Sequence, residues 1–218
     1  THNGQELILP SVTSILGDTL PKPQLVSWAA RTAAAAALAN PHFSIEEAAG
    51  AIYKKKSQAT DKGKAIHLWA EDYANGKPIN IKDLPLELQP YGNAFQHFVD
   101  LNAPNIIHAE GVVFNVTYGY AGSFDVISEM ANGKLAMYDY KTGKGIYYES
   151  HLQQEAYAHA EWLMTKDKKI IPMPKIDYKS LVHLQDNGKS ALIGVDEPFE
   201  DFLKVMEVWK ILKRKKDS

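Results

Sequence analysis

Residues Gly122–Tyr157 read GSFDVISEMANGKLAMYDYKTGKGIYYESHLQQEAY. Two segments in this stretch alternate as strands do. Ser123–Met130 is the first and Lys134–Lys141 the second, and Ala131-Asn132-Gly133 joins them. Asn-Gly between alternating segments is the strongest short hairpin signal, because both residues tolerate the positive φ of a tight turn. Within KLAMYDYK the period of two puts Leu135, Met137, Asp139 and Lys141 on one face. Ala136, Tyr138 and Tyr140 take the other. The Asp139 carboxylate and the Lys141 ammonium thus project to one side, about 7 Å apart along the backbone. The hairpin makes Asp125 a neighbour of Asp139, close enough for the two acids to share one metal ion.

Two carboxylates and a lysine converging on one point suit divalent-metal hydrolysis of a phosphodiester. The same residues would serve equally as a surface cross-strand pair, Asp139 with Lys141, beside a solvated Asp125. Three other features bear on the choice. Glu110 lies in HAEGVVFNV, which reads as the preceding strand, and could bring a third acid. His67 follows Gly63 by four residues in a helical pattern, so both lie on one helix face. Gln153 and Tyr157 share a face of the helix after the second strand in the same way. Each alone has an ordinary structural reading: a packed histidine, a helix-surface pair, an isolated acid.

The order is more specific than the parts. GKAIH (Gly63–His67), Glu110, GSFD (Gly122–Asp125), DYKTG (Asp139–Gly143) and QQEAY (Gln153–Tyr157) follow one another along the chain. This resembles the PD-(D/E)XK nuclease superfamily, within it the RecB-like exonuclease branch. The opening Pro10-Ser11-Val12-Thr13-Ser14-Ile15-Leu16 looks like the start of phage and mitochondrial genome-maintenance members. Two departures stand out. Phe124-Asp125 replaces the literal Pro-Asp. There are no cysteines, so the iron–sulfur cluster of some relatives is excluded.

The resemblance implies a restriction-endonuclease-like core, an α/β (α+β) fold with a central mixed sheet flanked by helices and a helical N-terminal half. It implies Mg²⁺ or Mn²⁺ on Asp125 and Asp139, with the Tyr140 carbonyl, His67 and Glu110 completing the shell; an imidazole would suit Mn²⁺ at least as well as Mg²⁺. Lys141 would orient the attacking water and stabilise charge. Its ordinary pKa of about 10.4 makes it a poor base. Gln153 and Tyr157 would touch the nucleic-acid backbone or hold the loop around Thr142-Gly143, and Thr142 would contact the nucleic acid. Apart from the resemblance, Lys62 and Lys64, just before His67, are either phosphate contacts or a solvated helix face. The implied activity is a metal-dependent DNA exonuclease in recombination, repair or replication, acting on ends or single strands. An endonuclease with the same core, and a non-catalytic nucleic-acid-binding protein on this fold, are the alternatives.

Composition sets the bounds. With 218 residues, 45% of them hydrophobic, the chain can bury one sizeable domain. The net charge is −2 and the pI about 6.4, so a DNA partner would need a local basic groove rather than a basic chain. The absence of cysteine rules out disulfides and thiolate metal sites and fits an intracellular compartment: cytoplasm, nucleoid or mitochondrial matrix. The Ala-rich Ala29–Ala39 is too short to span a membrane and reads as helix. No signal peptide is legible; the chain begins at Thr1, so processing of upstream targeting residues stays open.

Helices are expected at Ser11–Leu16, Gln24–Ala39, Ser44–Lys56, Thr60–Asn75, Leu86–Leu101, Ser150–Lys166 and Pro198–Lys213. Strands are expected at Ile106–Thr117, Gly122–Met130, Lys134–Lys141, Ser180–Gln185 and Ser190–Val195, the last two joined over Asp186-Asn187-Gly188. The expectation is one domain over 1–218, mainly helical to 104 and β-β-β-α-β-β-α from 105. Trp28, Trp162 and Trp209 are expected in amphipathic helices. Trp69, Tyr73 and Tyr91 are either core or stacking surfaces for single-stranded bases. Lys54-Lys55-Lys56 and the C-terminal Lys213-Arg214-Lys215-Lys216 are either phosphate contacts or solvated faces.

Overall fold

The structure, a computed structural model, describes residues 8–214. Lys215 and Lys216 of the basic C-terminal run lie outside them. The chain divides into two compact units. One gathers the residues up to Leu20 and from Ile66 onward; the other is Pro21–Ala65.

The Pro21–Ala65 unit holds α2 (Pro23–Ala39) and the first part of α3 (Ile45–Ala74). Pro23 opens α2 at its first turn, where its missing N–H is not needed. A reciprocal capping box starts α3: the Ser44 N–H donates to Glu47 Oε2 at 2.7 Å, and the Glu47 N–H donates to Ser44 Oγ at 3.2 Å. The expected break between Lys56 and Thr60 is absent, and α3 is a single 30-residue helix. No proline interrupts it, and Thr60 Oγ1 folds back onto the Lys56 carbonyl at 3.0 Å, which keeps its hydroxyl satisfied within the helix.

The larger unit is built on a seven-stranded sheet. Its strands are β1 (Asn105–Asn115), β2 (Tyr120–Glu129), β3 (Leu135–Lys141), β4 (Trp162–Met164), β5 (Ile170–Pro172), β6 (Tyr178–Leu184) and β7 (Ser190–Gly194). The order across the sheet is β5-β4-β1-β2-β3-β6-β7, and only β3–β6 is parallel. The parallel pair requires a crossover, and α5 (Tyr148–Ala158) lies within it. Both predicted hairpin turns form: Gly133 and Gly188 take φ of 77° and 80°, conformations that favour glycine.

Two layers of helix cover the sheet. On one face α1 (Val12–Thr19), α5 and α6 (Phe199–Arg214) bury Ile15, Leu152 and Phe202 against Val113, Phe124, Ile127 and Met137. On the other, α4 (Gln89–Asn102) sets Phe95 and Phe98 edge-on to Tyr140, at 5.3 and 6.1 Å between ring centroids. This is a mixed α/β fold with a helical N-terminal half. β3 is buried on both faces, and the alternation read from its sequence holds: Met137 packs under α5, while Tyr138 and Tyr140 pack under α4.

One expected element is corrected. Helix was expected over Ser150–Lys166, but α5 ends at Ala158 and Trp162–Met164 is β4. The cause is tertiary. β1 offers a free edge, and Val112, Val113 and Phe114 pair with Met164, Leu163 and Trp162. Trp162 is therefore a strand residue, and β4 and β5 are additions to the expected order of strands. Among the described residues no helix is long and apolar enough to cross a membrane.

Candidate metal centre and its lysine

The ladder between β2 and β3 runs from Glu129↔Leu135 to Val126↔Tyr138. One step further would pair Asp125 with Asp139. Instead the Asp125 side chain takes over: its Oδ2 accepts the Tyr140 N–H at 2.7 Å. The β1–β2 ladder also skips a step here, passing from Ala109↔Val126 to Gly111↔Phe124. On β1, directly across from this break, Glu110 has φ of 51°. A left-handed backbone at a glutamate is uncommon and strained, and such residues persist where the surroundings hold them. The sheet therefore departs from regular pairing where its acids gather.

His67, Glu110 and Asp125 converge. Each offers a ligand atom within 4.8 Å of the others. His67 Nδ1 stands 3.2 Å from Asp125 Oδ1. One imidazole and two carboxylates form a donor set that Mn²⁺ and Mg²⁺ accept, so the residues fit a hard divalent ion. The group is electrically unbalanced without one. Burial opposes charge on His67, but the hydrogen bond to Asp125 and the fields of Asp125 and Asp139 outweigh it and push the imidazole up to about 9. Burial, Asp125 and Glu71 push the Glu110 carboxyl up to about 7. Both shifts have the same meaning: the metal-free cluster holds protons where a cation would relieve it.

Asp139 is not part of that group. It is 4% exposed, and its Oδ2 meets Lys141 Nζ at 2.7 Å. The reading as a surface pair is thus excluded by burial, and the Asp125 side chain is itself only 12% exposed. Burial raises the Asp139 carboxyl, with Asp125 adding and Lys141 opposing. Burial opposes charge on Lys141 as well, but Asp139 and Asp125 raise it above the ordinary lysine value. Lys141 is therefore an ammonium and a donor, not a base.

A hydrogen-bonded chain carries this order outward. Lys141 Nζ donates to Gln153 Oε1 at 3.3 Å, and Gln153 Nε2 donates to the Tyr157 hydroxyl oxygen at 2.9 Å. Tyr157 is 2% exposed, so the contact with a nucleic-acid backbone expected of it is not what its position offers. Its ring lies against Gly122, where an added Cβ would come within 2.2 Å of Tyr157 Cε1. The GSFD glycine and the QQEAY tyrosine thus form one packing unit. Sequence reading recognised both motifs and missed that they touch.

The remaining sites separate. The Tyr140 ring is buried and its N–H is committed to Asp125. Trp69 and Tyr73 pack edge-on to Phe95, at 5.5 and 5.4 Å. Thr142 lines a cavity beyond β3. Lys62 and Lys64 belong to the Pro21–Ala65 unit, half-exposed and exposed respectively. Glu71, one turn beyond His67 on α3, was not anticipated. It pairs with Lys166, and its charge is felt at Glu110. Its spacing of four from His67 was the available signal.

No family model matches the chain, and no curated protein matches it. Among solved structures, the crystal structure of SSO0001 is similar over 95% of this chain and 78% of that one, with 17% identity and a TM-score of 0.44.

Proposed function

We propose that the chain is a divalent-metal-dependent deoxyribonuclease that hydrolyses phosphodiester bonds, an exonuclease of the RecB-like type acting on DNA ends or single strands. The observation that carries this reading is the meeting of His67, Glu110 and Asp125 beside a buried Asp139–Lys141 pair. These residues come from a helix and three strands, and nothing in packing alone requires that they meet.

His67, Glu110 and Asp125 would hold Mg²⁺ or Mn²⁺. The ion would supply Lewis acidity and neutralise charge at the phosphate. Lys141 donates from its ammonium to a phosphate oxygen and orients the water that attacks phosphorus. Asp139 keeps Lys141 charged, and Gln153 keeps it aimed. Water adds to phosphorus, the bond to one ester oxygen breaks, and that oxygen leaves with a proton as a hydroxyl. The positive charge of Lys141 matters most as charge builds on the phosphoryl oxygens, which is where a fixed donor accelerates the step.

The test is cleavage of end-labelled linear single-stranded DNA, linear duplex and covalently closed circles, with Mg²⁺, Mn²⁺ or EDTA. Metal-dependent loss of linear DNA with circles untouched is expected. Cutting of circles would make the protein an endonuclease. Absence of cleavage with either ion, alongside DNA binding, would overturn the catalytic reading.

A further inference from the structure

After Lys141 the chain enters Thr142-Gly143-Lys144, which forms one wall of a cavity of about 410 Å³. That volume lies within the ordinary range of small-ligand pockets. α4 contributes Tyr91, β6 contributes His183, and the turn before β7 contributes Gln185 and Asp186. Neither the metal-fitting group nor the Lys141 chain uses these side chains. His183 is the register partner of Lys141 in the parallel β3–β6 pair, and Thr142, the first residue of the cavity wall, directly follows Lys141.

The lining has a definite chemistry. His183 Nε2 stands 2.7 Å from the Gly143 carbonyl oxygen. A carbonyl only accepts, so Nε2 carries the hydrogen, and in the neutral ring Nδ1 is an acceptor. Gln185 Oε1 accepts from Asn187 Nδ2 at 3.2 Å, and its amide NH₂ is a donor group. Burial and the charge of Asp186 push the Tyr91 phenol up, so it stays a neutral aromatic ring. Asp186 makes the cavity unfavourable for a second phosphate, and Lys144 is exposed at its edge. An aromatic face edged by an imidazole and a carboxamide matches the π face and polar edge of a nucleobase better than it matches an anion.

We propose that this cavity holds the unpaired base of the nucleotide adjoining the phosphodiester at Lys141, with Tyr91 as its stacking surface and His183 and Gln185 at its edge. This rests on the phosphodiesterase reading. A base enters such a pocket only out of the duplex, so the cavity confers a preference for single-stranded or frayed ends.

The experiment is calorimetric titration of the intact chain, in EDTA, with deoxyadenosine monophosphate and separately with inorganic phosphate. The nucleotide should bind at least about tenfold more tightly than phosphate. Tyr91→Ala should lose about 5- to 160-fold of that affinity, the range for removing a stacking ring. Tyr91→Leu keeps bulk without the π face and should lose as much, so a packing defect is separated from lost stacking. Equal affinity for nucleotide and phosphate, or unchanged nucleotide affinity in both variants, overturns the proposal. Failure of the wild type to cleave DNA with Mg²⁺ or Mn²⁺ would fall on the proposed function alone, because the EDTA titration reads the cavity without catalysis.

Discussion

The two halves of the candidate site solve opposite electrostatic problems. His67, Glu110 and Asp125 form a partly open cluster in which acids repel and a strained backbone is held in place. Asp139, Lys141, Gln153 and Tyr157 form a connected chain, buried at Asp139 and Tyr157, from an ion pair through two hydrogen bonds. The first half gathers acids around an imidazole and the second pairs a buried acid with an ammonium. A catalytic centre gains from that division: a replaceable ion on one side, and on the other a charge that does not move. Preorganised charge needs no reorganisation when the reaction occurs, which is the physical advantage of holding Lys141 between Asp139 and Gln153, with Tyr157 behind Gln153.

The widest separation between the halves should appear in a pair of substitutions. Asp125→Ala and Lys141→Ala should each lower kcat by about 10³-fold or more while sparing DNA binding. Mn²⁺ titration should divide them: Asp125→Ala loses the ion, and Lys141→Ala retains it. Lys141→Ala should also melt at lower temperature, because it leaves Asp139 buried without its partner. If both variants cut normally, these residues are not the site.

Gly122 tests the support beneath the closed half. A methyl group there must displace the Tyr157 ring, so Gly122→Ala should lose about 1–3 kcal/mol of stability in denaturant unfolding. An unchanged midpoint would mean that the ring is free to move. Gln153→Ala is subtler. As Gln153 positions Lys141, its removal should reduce kcat by about tenfold with Mn²⁺ affinity unchanged, and Gln153→Glu, which restores an acceptor for the ammonium, should recover much of the loss. A change in KM alone would instead assign Gln153 to substrate contact.

The smallest effect is in pH. His67 is raised from 6.5 to about 9, so its contribution to stability is full below 6.5 and disappears as pH rises through about 9. Glu110 is raised from 4.5 to about 7, so the folded chain also holds that proton more tightly, and its contribution disappears as pH rises through about 7. The metal-free protein should therefore lose a few degrees of melting temperature between pH 5 and 9. Mn²⁺ should restore more at pH 8.5 than at pH 6. An equal shift at both values would remove this cluster as the binding site.

Much of this was legible before any coordinates. The β2–β3 hairpin follows from Asn132-Gly133 and from alternation, both local properties, and Asp139 and Lys141 share a face because a strand has a period of two. The ordered motifs named His67, Glu110, Asp125, Asp139, Lys141, Gln153 and Tyr157, and left out Glu71. What the sequence could not contain was their partition. A hairpin makes Asp125 and Asp139 neighbours; the folded chain adds that Asp139 pairs with Lys141, while Asp125 joins Glu110 of the neighbouring strand and His67 of α3. That depends on where the β2–β3 ladder breaks, which is settled by packing on both sheet faces. β4 was hidden for a related reason: Trp162–Met164 is a strand because β1 has an edge to fill, and edge pairing is invisible to local periodicity.

The sequence by itself determined the residue types available for the chemistry and the local elements that carry them. Backbone periodicity and turn preferences act over a few residues, and those are written in order along the chain. The tertiary structure alone decided which carboxylate joins His67 and Glu110 and which meets an ammonium, that Gly122 must stay bare for Tyr157, and that a cavity opens past Thr142. Those outcomes depend on burial and on distances between residues remote in sequence, and such quantities exist only once the chain has folded.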